Sequence, residues 1–164
     1  MRNVEFKPVL LTEESDIFSI VLEHGKESEF QKFLIMFKDT GDQYIKEDFD
    51  RILAAIEIIS QNGALESYFR NEGRMTDRIC AIPLLVKSRD KARHGTLRLY
   101  CIRISDSLLI IGGGGIKTTE KYEDDYVLLS KIQDLQSIDH SLAIIEENGS
   151  CLNNELYNLV VEID

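Results

Sequence analysis

The alternation of apolar and polar residues is clearest between residues 96 and 119, where it predicts two strands joined by a turn. A period of two is typical of a half-buried strand. One face of the first strand is expected to carry Leu97, Leu99, Cys101 and Ile104, and the other Thr96, Arg98, Tyr100 and Ile102. The polar residues 105–107 supply the turn. The continuous apolar run 108–111 then favours a strand that is covered on both faces.

Four consecutive glycines, residues 112–115, follow this apolar run. A phosphate-binding P-loop needs a glycine directly before its lysine and a helix directly after it. Here Ile116 precedes Lys117, and Thr118 and Thr119 open a helix poorly. The glycines are therefore interpreted as the end of the strand, where they bend the chain.

Helical periodicity predicts two helices before this strand pair and one after it. The first begins near Ser28 and Gln31, which have capping-box spacing, and carries an aromatic stripe expected in the core. The second buries apolar residues between positions 45 and 59 and stops at Asn62-Gly63. The third follows Asp124 and Asp125 and ends at Gly149. The first two helices are joined by a short connection, so an antiparallel helix hairpin on a sheet is expected.

The remaining strands are predicted from shorter patterns. Residues 4–9 and 17–22 indicate a hairpin, or an arm followed by a strand, and residues 156–163 indicate a short strand or an adhesive tail. Residues 78–86 are a further strand candidate, with Pro83 suggesting a bulge or an edge. The prediction is a single α+β domain over residues 1–164, with an N-terminal strand and helix hairpin on an antiparallel sheet and a long C-terminal helix.

Composition narrows the cellular compartments in which the protein is expected. It has 43% hydrophobic residues, no signal-peptide pattern and no apolar stretch long enough to cross a membrane. Its three cysteines lack metal-ligand spacing, and Cys80 and Cys101 are expected as core residues of a protein in a reducing compartment. A cytoplasmic location is therefore expected, with no metal.

The charge is unevenly distributed along the chain. The formal net charge of -10 argues against non-specific binding to nucleic acid or anionic membrane. Residues 70–103 nevertheless hold nine basic and three acidic residues. This basic strip either forms an anion-binding face or pairs with acidic helices of the same protein, and the sequence leaves both interpretations open.

The order of elements resembles the RelE/ParE toxin superfamily, in particular its HigB-like, phage-derived branch. The resemblance is carried by the segments SIVLEHGKESEFQKFL, IISQNGA and HGTLRLYCIRISDSLLIIGGGGIKTTEKY. It spans residues 17–126 and leaves residues 127–164 as a C-terminal helical extension. It implies a bacterial toxin, paired with an antitoxin protein, that cleaves messenger RNA on the ribosome without a cofactor.

The resemblance also implies roles for individual residues. Arg98 and Lys117 match the cations that orient the phosphate, Tyr122 matches the tyrosine that follows them, and Lys91 matches a loop lysine. His94 is a further candidate acid or base, which the family pattern does not require. The loop residues Lys87, Arg89, Lys91 and Arg93 are expected to bind RNA phosphates.

Each of these residues also has a structural interpretation. Arg98 can pair with a carboxylate of an acidic helix, Lys117 can be a solvated strand-end charge, and Tyr122 can be a packing residue. His94 can be an ordinary loop residue. Two hypotheses therefore stand: a ribosome-dependent endoribonuclease toxin, and a non-catalytic RelE-like module for protein interaction or regulation.

Overall fold

The protein is described here by a computed structural model, which covers residues 1–74, 76–84, 95–118 and 125–164. Its strands are β1 (Arg2–Leu11), β2 (Asp16–Leu22), β3 (Arg70–Asn71), β4 (Ile79–Ala81), β5 (Thr96–Ser105), β6 (Leu108–Lys117) and β7 (Val160–Ile163). Its helices are α1 (Glu29–Phe37), α2 (Gln43–Asn62), α3 (Tyr126–Glu147) and the short α4 (Leu152–Glu155). The predicted α+β fold with a long C-terminal helix is confirmed.

The strands within the described residues form one seven-stranded sheet in the order β3-β4-β5-β6-β2-β1-β7. Neighbouring strands are antiparallel except β2 and β6, which are parallel over Asp16 to Ser19 and Leu108 to Ile111. The N-terminal hairpin β1/β2 and the strands β3 to β6 therefore meet along this four-residue parallel ladder. The C-terminal strand β7 extends the sheet by pairing with β1.

The helix boundaries follow the local signals of the sequence. Ser28 and Gln31 form the predicted capping box at the start of α1. Asp42 caps α2, which ends at Gly63 with a φ of 98°, a conformation that suits glycine. Asp125 caps α3 by accepting hydrogen bonds from the backbone amides of Val127 and Leu128.

The sheet is buried on both faces. The hairpin of α1 and α2 covers one face, where the rings of Phe33 and Phe49 lie 6.1 Å apart. Helix α3 covers the other face, and its residues Leu128, Ile132, Leu135, Ile138 and Leu142 are each at most 1% exposed. We call these the helix-hairpin face and the α3 face. Cys80 and Cys101 are buried on the helix-hairpin face, as predicted for core residues.

Two predictions about β5 and β6 need correction. Ile104 packs on the α3 face and not beside Leu97, because the period of two places residue 104 on the same face as Tyr100 and Ile102, whereas Leu97, Leu99 and Cys101 lie on the other face. The glycine run does not end its strand. Strand β6 continues to Lys117, and the bend is a second register shift beside the glycines, where Leu99 pairs with Gly114 but Cys101 pairs with Ile111.

The strand predicted over residues 78–86 is shorter than expected. Strand β4 ends at Ala81, and Pro83 follows as an exposed residue. Residues 85 and 86 lie outside the described residues. Among the described helices, none combines the length and the apolar composition that crossing a membrane requires.

Candidate functional site

The β5–β6 register brings Arg98 and Lys117 to the same face of the sheet. Arg98 lies opposite Gly115, and Lys117 lies opposite Thr96. Directly opposed residues of antiparallel strands point to one face, so Arg98 and Lys117 are diagonal neighbours, with Cα atoms about 7–8 Å apart. Since Tyr100 of the same alternating set packs with α3, this is the α3 face.

Arg98 is a buried cation. Only 9% of its surface is exposed, and its Nε has no hydrogen-bond partner among the described residues. Burial lowers the pKa of the Arg98 guanidinium, and the positive charge of Arg70 lowers it further, while the carboxylates of Glu72 and Asp48 act in the opposite direction. Burying a cation with an unpaired donor costs stability, which is typical of a group retained for binding or catalysis.

Tyr100 stands two residues from Arg98 on the same face. It is fully buried, and within the described part of the chain its hydroxyl has no hydrogen-bond partner. Burial and the charge of Glu72 raise the pKa of the Tyr100 hydroxyl well above its usual value, against the charges of Arg98 and Arg70. The hydroxyl therefore stays protonated, so that it can donate a hydrogen bond but cannot act as a base.

Arg70 and Glu72 complete the arrangement at the edge of the sheet. The Nε and Nη2 atoms of Arg70 both donate to Oε1 of Glu72, at 2.8 and 2.6 Å. The Arg70 side chain is 49% exposed, whereas that of Glu72 is 8% exposed. The register places Arg70 opposite Ala81 on β4, and Ala81 opposite Tyr100 on β5. Arg70, Arg98, Lys117, Tyr100 and Glu72 are together called the α3-face cluster below.

The glycine run allows the strands and α3 to approach each other at this cluster. A Cβ atom at Gly114 would lie 1.9 Å from the carbonyl oxygen of Arg98, and one at Gly115 would lie 3.2 Å from Leu128 of α3. The first distance is impossible for a real side chain without a shift of β5. The glycines thus serve close packing around Arg98, not the binding of a phosphate by a P-loop.

The basic strip of residues 70–103 is divided between two roles. Arg78 pairs with Asp139 at 2.7 Å and with Glu146 at 2.8 Å, both on α3. Arg103 pairs with Asp106 and donates to the carbonyl of Ala64, at the end of α2. These two arginines are internal counterparts of acidic residues. Arg70 is paired with Glu72 but half exposed, and it shares the α3 face with Arg98, so these two fit the anion-binding interpretation.

The structure brings together only part of the predicted site. Arg98 and Lys117 share a face, and the other predicted site residues lie outside the described residues: Tyr122, His94, Lys87, Arg89, Lys91 and Arg93. Arg70, Glu72 and Tyr100 were not predicted as site residues. The alternation of β5 already placed Tyr100 beside Arg98, but no pattern in residues 65–77 indicated a strand at Arg70.

The chemistry of the α3-face cluster favours an anion. It offers cationic and neutral donors, and positive charge near a buried, low-dielectric position stabilises negative charge strongly. Among the described residues, no group of three or more His, Cys, Asp or Glu side chains is arranged to hold a metal ion. Comparisons of the chain with protein-family models, with curated proteins and with solved structures give no significant match.

Proposed function

We propose that the protein is a RelE/HigB-like toxin that cleaves messenger RNA, and that the α3-face cluster holds the phosphate at the cleavage point. The observation that carries this proposal is the state of Arg98, a residue that is only 9% exposed and whose Nε lacks a partner among the described residues. Arg78, in comparison, is bonded to the carboxylates of Asp139 and Glu146, as a buried cation that stabilises the fold commonly is.

In the proposed reaction the 2′-hydroxyl of the RNA attacks the adjacent phosphorus. A bond from O2′ to phosphorus forms and the bond from phosphorus to O5′ breaks, which leaves a 2′,3′-cyclic phosphate and a 5′-hydroxyl. Arg98 and Lys117 orient the phosphate and stabilise the charge that develops on its oxygens. The proton leaves the 2′-hydroxyl and reaches O5′ with the help of Tyr122 or His94.

The test is induced expression of the chain in a bacterium, with growth and messenger-RNA integrity as the readouts. We expect growth arrest and cleavage of translated RNA, and we expect the variant Arg98→Met/Lys117→Met to abolish both. Methionine keeps most of the side-chain volume and removes the charge. The control is Lys46→Met/Arg74→Met, which removes two charges from exposed positions that do not belong to the cluster. Arrest by the Arg98→Met/Lys117→Met variant would refute the proposal.

A second candidate function is a non-catalytic RelE-like module for protein interaction or regulation. It is favoured by the packing of α3, whose buried residues cover the face of the sheet on which Arg98 lies, and by the net charge of -10. A strongly anionic chain is repelled by the RNA of a ribosome. Under this hypothesis the wild-type chain causes no arrest and leaves translated RNA intact. A neighbouring reading frame for a small helix-turn-helix or acidic antitoxin would favour the toxin.

A further inference from the structure

Arg70 and Arg98 lie on the same face of the sheet, and the carboxylate of Glu72 is bonded to Arg70. The positive charge of Arg70 lowers the pKa of Arg98 and that of Tyr100. The two arginines are on β3 and β5, and Arg70 is in line with Tyr100, two residues from Arg98, so their Cα atoms are about 12 Å apart on the diagonal. Ala81 of β4 lies between Arg70 and Tyr100, and its small side chain leaves the space above it open to the long side chain of Arg70.

Like charges at this separation repel each other, and an anion bound between them would offset the repulsion. Glu72 offsets part of the repulsion, but both of the Arg70 bonds to it end on the single atom Oε1. These bonds use Nε and Nη2 of Arg70, and they hold its guanidinium in one orientation while its Nη1 stays outside the pair. Arg98 Nε and the Tyr100 hydroxyl are further donors whose partner is missing among the described residues.

We propose that Arg70 is a second phosphate-binding arginine, and that it clamps one phosphate group together with Arg98. Arg70 is half exposed and forms the entrance, Arg98 forms the buried end, and Glu72 positions Arg70 for the ligand. Two guanidinium groups that present several N–H donors match the tetrahedral oxygens of a phosphate, and charge-assisted bonds of this kind are strong. The Tyr100 hydroxyl is a neutral donor at the same end.

This inference rests on the proposed function only for the source of the phosphate: in the proposed function, the phosphate belongs to the backbone of an RNA. The binding itself is testable with inorganic phosphate. The probe is the Nε–Hε resonance of Arg98 in a ¹H–¹⁵N spectrum of the full chain, assigned by its loss in Arg98→Lys. We expect phosphate to shift this resonance saturably, and chloride at equal ionic strength to leave it in place.

The decisive variant is Arg70→Gln, which should weaken phosphate binding about tenfold, as expected for the loss of one charge-assisted contact. The matched control is Arg74→Gln, an exposed arginine four residues further along whose side chain is not paired with Glu72. It should leave the phosphate affinity within about twofold of wild type. Because Arg70→Gln leaves the Glu72 carboxylate buried and unpaired, the neutral pair Arg70→Gln/Glu72→Gln is measured beside it and should also bind about tenfold more weakly.

The outcomes separate this inference from the proposed function. Equal losses in Arg70→Gln and Arg74→Gln would show a general charge effect and overturn the inference, as would the absence of any phosphate shift. Phosphate binding that needs Arg70, in a chain that cleaves no RNA, would support the inference and refute the toxin. Cleavage by the wild-type chain that persists in both Arg70 variants would support the toxin and refute the role of Arg70.

Discussion

Gly112 of β6 lies directly beneath Leu135 of α3, and a Cβ atom on Gly112 would come within 2.8 Å of both δ-carbons of that leucine. Helix α3 therefore rests on a strand that has no side chain at the point of contact. Both residues are buried, and the contact holds the helix at the distance from the sheet that the surrounding core requires.

The variant Gly112→Ala should lower the free energy of unfolding by about 1–3 kcal/mol, because the added methyl group overpacks the interface between β6 and α3. Urea denaturation measures this. The matched control is Gly41→Ala in the connection between α1 and α2, where an added Cβ would meet nothing within 4 Å. It should leave the stability unchanged or raise it by about 0.5 kcal/mol. Equal effects of the two variants would contradict the packing role of Gly112.

Arg98→Met should raise the free energy of unfolding by about 1 kcal/mol, because it removes a buried charge that has an unpaired Nε and keeps the volume. Thermal and urea unfolding check this. If RNA cleavage is lost in the same variant, stability and activity have been separated at one residue. A loss of stability of several kcal/mol would instead mean that Arg98 holds the fold together.

Asp139→Ala should destabilise the fold by about 3 kcal/mol, because it leaves the Arg78 guanidinium partly buried without its closest carboxylate. The Asp139 carboxylate also accepts a hydrogen bond from the Arg78 backbone amide at 3.1 Å. The substitution therefore also removes this bond between α3 and the residue that precedes β4. Glu147→Ala, an exposed position at the end of α3, serves as the control and should change stability by less than about 0.5 kcal/mol. A similar midpoint for both variants would argue against the role of this ion pair.

Stability should fall at alkaline pH because of the buried thiols. Burial raises the pKa of Cys80 from 9.0 to about 12, and burial also raises the pKa of Cys101. Above pH 9 the unfolded chain releases these protons while the folded chain keeps them. The free energy of unfolding is therefore unaffected by the thiols below pH 9. It falls as the pH rises from 9 towards 12, by about 1.4 kcal/mol per pH unit for each thiol.

The measurement is the urea midpoint between pH 8 and pH 10.5. Cys80→Ala should flatten this pH dependence relative to wild type, whatever its effect on stability at pH 8. Cys151→Ser should leave the slope as it is, since Cys151 is exposed. A flatter slope in Cys151→Ser, or an unchanged one in Cys80→Ala, would show that other groups control the alkaline transition.

The elements whose patterns are local were predictable from the sequence. The capping box of Ser28, the stop at Gly63 and the cap at Asp125 each depend on a few neighbouring residues, and the structure has all three. Ile104 was placed wrongly although the period of two was sufficient, because residue 104 is an odd number of residues from Leu97 and Leu99 and so shares the face of Tyr100 and Ile102. The register shifts of β5 and β6, in contrast, are not revealed by periodicity.

The candidate site was only partly predictable for the same physical reason. Strict alternation puts Arg98 and Tyr100 on one face and Arg103, an odd number of residues away, on the other, so the division of the basic strip could have been read from the sequence. The position of Arg70 could not be predicted from the sequence. It depends on a two-residue strand, β3, that pairs with the free edge of β4, and this pairing is a tertiary effect.

The parallel ladder between β2 and β6 also bears on how the chain folds. The β1/β2 and β5/β6 hairpins can each form from nearby residues, but the ladder joins partners such as Ser19 and Ile111, which are 92 positions apart. Closing so long a loop is entropically costly before any contact repays it. We expect the docking of the two hairpins to be the slow event, with the Ser19 hydroxyl, bonded to Ile111 and to the amide of Phe30, engaged late.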